Sequence, residues 1–232
     1  MNTLLFDIDG TLLSTQNAGT RTIDQVLNNV FQITRRTPLR LHGRTDRGIL
    51  NDLLLHHQLE VTEEHYQAFR SAYLPLLDQH LQQYPSTILP GVVELLHWLG
   101  QRDDVALGIL TGNMLDGAAL KLSHSRLSHH FHFGGYGDQH PLRDDVAREA
   151  HAAAKSFLGE RFRENQVWVI GDTQADVTCA RAINANVIGV LTGGASREDM
   201  IESKPDLLLE DLSDAITVFQ GLLDNLSCQP GN

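Results

Sequence analysis

Two aspartates two residues apart, Asp7 and Asp9, stand where the apolar run of residues 3–8 meets Gly10. Read as a buried parallel strand, that run sends both carboxylates off one face, and Gly10 lets the backbone turn away beside them. Like charges held so close repel unless a cation or a shared proton intervenes. A plain strand followed by an Asp-Gly turn accounts for the same residues, so this stretch alone leaves both readings open.

The arrangement recurs. The apolar run 105–110 ends in Thr111-Gly112-Asn113, and the run 167–170 ends in Gly171-Asp172-Thr173, with Asp176 one helical turn further on. In an open parallel sheet the strand ends share one edge and ligands bind in the crevice beyond it, which brings the three clusters together. Asp172 and Thr173 also suit the cap of a following helix, but capping leaves the other two ends unexplained. Asp7, Asp9, Asp172 and Asp176 converging in one crevice need a cation. A set of oxygen donors without histidine or cysteine selects a hard ion, Mg²⁺ being the one expected in a cytosol, with a substrate phosphate oxygen among its ligands.

The elements that must position these residues follow from periodicity. Helical stripes cover residues 16–31, 46–57 and 62–83, the last carrying Pro75, with a turn-rich break through Arg35, Arg36, Pro38 and Gly43. No strand pattern falls between residues 14 and 87. From residue 90 onward, helices at 91–101, 115–122, 144–158, 175–183 and 213–223 alternate with strands at 105–110, 131–133, 167–170, 187–191 and 207–209. The pattern predicts an α/β fold, a doubly wound (Rossmann-like) parallel sheet built from residues 1–13 and 88–232, with an all-α cap inserted at 14–87. The tail from Gln229 is expected to be disordered.

Composition bounds the partners. With 18 basic against 29 acidic residues the chain carries a formal charge of −11, which argues against nucleic acid or an anionic membrane. Cys179 and Cys228 lack a ligand spacing, the N-terminus enters a strand without a signal-like segment, and no run of eighteen apolar residues occurs. A cytoplasmic protein is expected, monomer or homodimer.

Asp7-Ile8-Asp9-Gly10-Thr11, Thr111 in Leu110-Thr111-Gly112-Asn113, and Gly171-Asp172-Thr173-Gln174-Ala175-Asp176 resemble the first, second and fourth motifs of the haloacid dehalogenase superfamily, and within it the phosphoglycolate phosphatase-like enzymes. The resemblance spans nearly the whole chain, helical insertion included. It implies a Mg²⁺-dependent phosphatase of a small phosphorylated metabolite, a phosphoglycolate-like monoester, in which Asp7 is the nucleophile that becomes an aspartyl-phosphate and Asp9 the general acid, protonated when substrate binds, then the general base. Thr111, Asn113 and amides near Gly10 and Gly112 would hold the substrate's phosphoryl group. Asp7, Asp172 and the Asp9 carbonyl would hold the ion, with Asp176 binding through water or orienting a basic residue. The family's third motif is most often a lysine, which this chain lacks at the matching place; Lys121 lies a helix away from its strand end, and Arg143, at a helix start, is the positional match. A phosphosugar mutase of the same superfamily, or a non-catalytic phospho-ligand binder, is the alternative.

Other signals are weaker. His124, His129, His130, His132 and His140 crowd one segment without zinc spacing and read as a solvated loop. Gly135-Tyr136-Gly137 lacks the rest of a dinucleotide fingerprint and reads as a turn. Gly43-Arg44-Thr45-Asp46 resembles the specificity loop of the family's cap, with Arg44 and Arg47 reaching substrate; a helix capped by Thr45 with surface arginines is the plainer reading.

Overall fold

The computed structural model describes residues 1–34 and 41–227. The turn expected at Arg35, Arg36 and Pro38, as well as Cys228 and the tail, lies outside them. In chain order the elements are β1 (Asn2–Phe6), β2 (Leu13–Ser14), α1 (Ala18–Phe31), α2 (Asp46–His56), α3 (Glu63–Gln83), β3 (Thr87–Ile88), α4 (Val92–Leu99), β4 (Val105–Leu110), α5 (Leu115–His124) and β5 (Phe133–Gly135). There follow α6 (Arg143–Leu158), β6 (Val167–Gly171), α7 (Gln174–Ala182), β7 (Asn186–Val190), α8 (Arg197–Ser203), β8 (Leu207–Leu209) and α9 (Ala215–Ser227).

Six strands form one sheet in the order β5-β4-β1-β6-β7-β8, every neighbouring pair parallel. This is the doubly wound sheet that the alternation predicts. The chain passes from β1 outward through β4 and β5, then returns to the other side of β1 for β6, so the direction of winding reverses at β1. The ends of β4, β1 and β6 therefore lie side by side where a doubly wound sheet opens its crevice.

Residues of β1 bury both ways, which is why the strand reads as a continuous apolar run. Leu4 and Phe6 join a cluster with Leu96 of α4, Ala118 of α5 and Phe219 of α9, whereas Leu5 joins one with Ala150 of α6 and Ala180 of α7. A third cluster belongs to the insertion, where Ile23, Leu50, Phe69 and Tyr73 pack together; Met114, from the sheet domain, completes it.

Four expectations are corrected. The first strand stops at Phe6 rather than residue 8, because the carbonyl of Ile8 accepts from the amides of Thr11, Leu12 and Leu13 in a tight turn. Two short strands bracket the insertion, Leu13 pairing with Ile88 and Ser14 with Thr87, and two-residue strands leave no periodic trace. The strand placed at 131–133 runs from Phe133 to Gly135: β4 supplies Gly108 opposite the Phe133 ring, and α6 comes so near that a Cβ on Gly135 would meet the Val146 carbonyl at 2.3 Å. Helix α8, capped by Ser196, had no apolar stripe to announce it.

Candidate active site

Asp7 follows β1 directly and extends its ladder, donating its amide to the Ile170 carbonyl at 2.9 Å. Its side chain is buried, and Oδ1 lies 3.0 Å from the Arg143 guanidinium. Burial pushes the Asp7 carboxyl up to about 6, with Arg143 pulling against it and Asp176 and Asp9 adding to it. Gly10 then turns with a φ of 87°, and a Cβ there would fall 2.5 Å from Asp172 Oδ2. Glycine serves both demands at once.

β1 has ended at Phe6, so strand alternation does not set the direction of Asp9, which lines the same cavity as Asp7. Three donors hold Asp9: Lys121 Nζ at 2.5 Å and Asn113 Nδ2 at 2.8 Å on Oδ2, and Thr15 Oγ1 at 3.2 Å on Oδ1. Burial alone would raise the Asp9 carboxyl, but the Lys121 charge and these hydrogen bonds outweigh it and hold Asp9 below the usual carboxylate range. The protonated Asp9 that the resemblance implies belongs to the substrate-bound site; in the free site Lys121, which the sequence reading had set aside, favours the charged form.

At the end of β4, Thr111 is buried, and its Oγ1 accepts from Asn113 Nδ2 at 2.8 Å. At the end of β6, Asp172 accepts from the Gly194 amide at 3.0 Å and from Thr11 Oγ1 at 3.3 Å. A Cβ on Gly193 would sit 1.6 Å from the same carboxylate, so the loop after β7 closes on Asp172 without a side chain. Asp176 accepts from both the amide and the hydroxyl of Thr173 at the start of α7, and from Arg143 at 2.5 Å. The capping reading and the site reading of this segment hold together.

Carboxylate oxygens of Asp7, Asp172 and Asp176 lie within 4.8 Å of one another, all buried. Burial, with the charges of Asp176 and Asp7, pushes the Asp172 carboxyl well above the ordinary range. Arg143 opens α6 with its side chain 7% exposed, and burial works against its charge until Asp176 and Asp7 outweigh it. One guanidinium among three carboxylates leaves an uncompensated negative charge. An all-oxygen donor set with that deficit fits a hard divalent cation.

Asp7, Asp9, Thr111, Asn113, Lys121 and Arg143 face a cavity of about 320 Å³, closed on its far side by the helical insertion; Gly10, Gly112, Arg44 and Asp172 also line it. Asp176 does not, standing behind Arg143. Arg44 turns its guanidinium onto Asp52 at 2.6 Å, and Arg47 lies over the Tyr66 ring, bonded to Glu63 and the Asp138 carbonyl, away from the cavity. Thr45 caps α2, accepting from the Gly48 amide at 3.0 Å. Gly137 is more than a turn: its amide donates to the Asn113 carbonyl, and a Cβ there would meet the Gly112 carbonyl at 2.0 Å.

The insertion is fastened to this loop by Asp46, whose amide donates to the Gly112 carbonyl at 2.7 Å and whose Oδ2 accepts from the Met114 amide at 2.8 Å. Desolvation pushes the Asp46 carboxyl up to about 6, despite the Lys121 charge. The folded protein then holds that proton more tightly than the unfolded chain, so this group's contribution to stability falls as pH rises from about 4 to about 6. Asp46→Asn keeps the acceptor without the charge. It is expected to gain about 1 kcal/mol at pH 8, some 2–4 °C in Tm for a chain of this size, and nothing at pH 4; an equal gain at both would contradict the cause.

Residues 4–190 match the family model for haloacid dehalogenase-like hydrolases. The chain belongs to this family. It is 23% identical over 228 residues to a phosphoglycolate phosphatase of Pseudomonas fluorescens, covering 90% of this chain and 76% of that one. It is 24% identical over 224 residues to pyrophosphatase PpaX of Anoxybacillus flavithermus, with 94% and 97% covered. Among solved structures, a hydrolase from Pseudomonas syringae superposes with a TM-score of 0.72 at 23% identity, over 95% of this chain and 99% of that one. The chain is thus a hydrolase of the haloacid dehalogenase-like family, and the two sequence relatives are named phosphoglycolate phosphatase and pyrophosphatase. Among the described residues no helix is long and apolar enough to cross a membrane.

Four residues of the site carried no signal in the sequence. Thr15 and the Gly193-Gly194 pair are types common in any loop. Lys121 is six residues beyond the start of α5, but a helical side chain leans toward the N-terminus, which returns its ammonium to Asn113 and Asp9.

Proposed function

We propose that this hydrolase is a Mg²⁺-dependent phosphatase of small phosphate monoesters, working through an aspartyl-phosphate on Asp7. The observation that carries the reading is Asp7 itself: buried, against Arg143, in a carboxylate cluster with Asp172 and Asp176, and facing a cavity sized for a small metabolite.

Asp7 and Asp172 would hold the ion together with the Asp9 carbonyl, while the bond from Arg143 to Asp176 favours an orienting role for Asp176. Once bound, the ion supplies positive charge opposite the phosphoryl oxygens and offsets the negative cluster. Asp7 attacks phosphorus; the bond to the leaving oxygen breaks and that oxygen takes a proton by way of Asp9. Lys121 holds the Asp9 carboxyl below the usual carboxylate range, and a substrate monoanion, whose phosphoryl group titrates near pH 6, can supply this first proton. The same carboxylate then accepts a proton from the water that releases phosphate and restores Asp7. Thr111, the amides near Gly10 and Gly112, and Arg143 hold the phosphoryl oxygens, a bidentate task suited to a guanidinium.

A phosphate-release screen over a panel of monoesters tests this, with phosphoglycolate and pyrophosphate included because the relatives are named for them. Release from at least one small monoester is expected, falling at least about 100-fold when Mg²⁺ is chelated. Binding of panel members without any release would instead favour a non-catalytic phospho-ligand binder.

A further inference from the structure

We infer that Lys121 is a positioning residue that fixes Asp9 and Asn113 as one unit on the leaving-group side of the cavity. The inference rests on the phosphatase reading above and assigns this chain a second cation, distinct in place and partners from Arg143.

The side chain of Lys121 is 4% exposed, and its Nζ lies 2.5 Å from Asp9 Oδ2 and 2.6 Å from Asn113 Oδ1. Asn113 in turn donates to Asp9 Oδ2 at 2.8 Å and to Thr111 Oγ1 at 2.8 Å. Lysine, asparagine and aspartate thus form a closed triangle in which each touches the other two. An ammonium buried on a helix face that otherwise presents Gly117, Ala118 and Leu122 is costly to desolvate, and apolar packing would be served as well by methionine. Both of its partners stand at strand ends facing the cavity, and so does its own ammonium. With the triangle intact, Asp9 has one orientation; without the lysine it keeps only Asn113 and Thr15, which restrain it from one oxygen each. Two arginines cannot substitute from elsewhere among the described residues, since Arg143 is engaged by Asp7 and Asp176 and Arg44 by Asp52.

The test separates positioning of Asp9 from general damage by varying the leaving group. An alkoxide needs a proton as it departs, whereas p-nitrophenolate departs without one. In single-turnover experiments with Mg²⁺ present, Lys121→Met is expected to slow alcohol release from the best alkyl phosphate of the screen by at least about 100-fold, the usual worth of a positioned acid. Release of p-nitrophenolate from p-nitrophenyl phosphate should slow less than about tenfold, with little change in KM for either. Lys121→Arg should recover part of the difference. If Lys121→Met fails to fold, Asn113→Ala carries the same comparison with a smaller split. Equal slowing of both substrates, or none, in a folded variant overturns the inference while leaving the phosphatase reading in place; absence of release by the unaltered enzyme overturns the phosphatase reading itself.

Discussion

Asp7→Asn is expected to lose turnover by roughly 10⁴-fold or more while still folding and still binding phosphate esters. An amide at this position cannot form the acyl-phosphate, and no neighbouring carboxylate replaces it: Asp172 is held by Gly194 and Thr11, Asp176 by Thr173 and Arg143, and Asp9 by Lys121. The same change should relieve the metal-free protein. Burial raises the Asp7 carboxyl to about 6, so the folded state holds its proton more firmly than the unfolded chain and the group's contribution to stability declines as pH rises from about 4 to about 6. At about pH 8, without metal, the variant's Tm is expected to equal or exceed the parent's. Adding Mg²⁺ should raise the parent's Tm and leave the variant's nearly unchanged, because the cation's stabilising effect is binding to the folded state alone. Turnover near the parental rate, or an equal Mg²⁺ effect on both proteins, would contradict the assignment of Asp7.

What could be read in advance, and what could not, divides along a physical line. Asp7, Thr111 and Asp172 were visible because each ends an apolar run, and runs of that kind are buried strands whose ends share an edge. Arg143 was visible because it opens a helix between two such runs. Lys121 was not, since its place depends on a long side chain running back along α5, a distance that sequence separation misstates. The partners of Asp9 were hidden for a related reason: period-2 reasoning holds only inside a strand, and hydrogen bonding to the Ile8 carbonyl ends β1 two residues early. Arg47 illustrates a choice that the sequence left open. Beside a plausible specificity loop it could reach substrate on cap closure or lie at the surface, and in the structure Tyr66, Glu63 and Asp138, brought there by the packing of α3 and of the loop after β5, claim it. Charges find their partners through tertiary structure, and local pattern cannot rank the candidates.

Arg143→Ala is the second large effect, and it should act on stability and chemistry by separable routes. The guanidinium lies between Asp7 and Asp176, with side chains 7% exposed on the arginine and 8% and 0% on the carboxylates. Deleting one partner of a buried ion pair strands the others, at a cost of about 3–5 kcal/mol, which for this size of chain is a Tm lower by roughly 10 °C or more. Mg²⁺ should recover much of that loss, because a divalent ion can take the place of the missing charge beside Asp7 and Asp172. Activity should not recover with it: the phosphoryl oxygens lose a fixed donor, and turnover is expected to stay down by on the order of 10²–10³-fold. Arg143→Lys restores a charge that can meet both carboxylates, as Nη2 does here, but not the further guanidinium N–H groups that the phosphoryl oxygens would use, so it should fold better than the alanine variant and remain slow. The decisive comparison is made at a Mg²⁺ concentration where the alanine variant's Tm has been restored. If its turnover is then parental, Arg143 serves only to hold the carboxylate cluster together, and the donor that steadies the phosphoryl group must be sought among Thr111 and the strand-end amides.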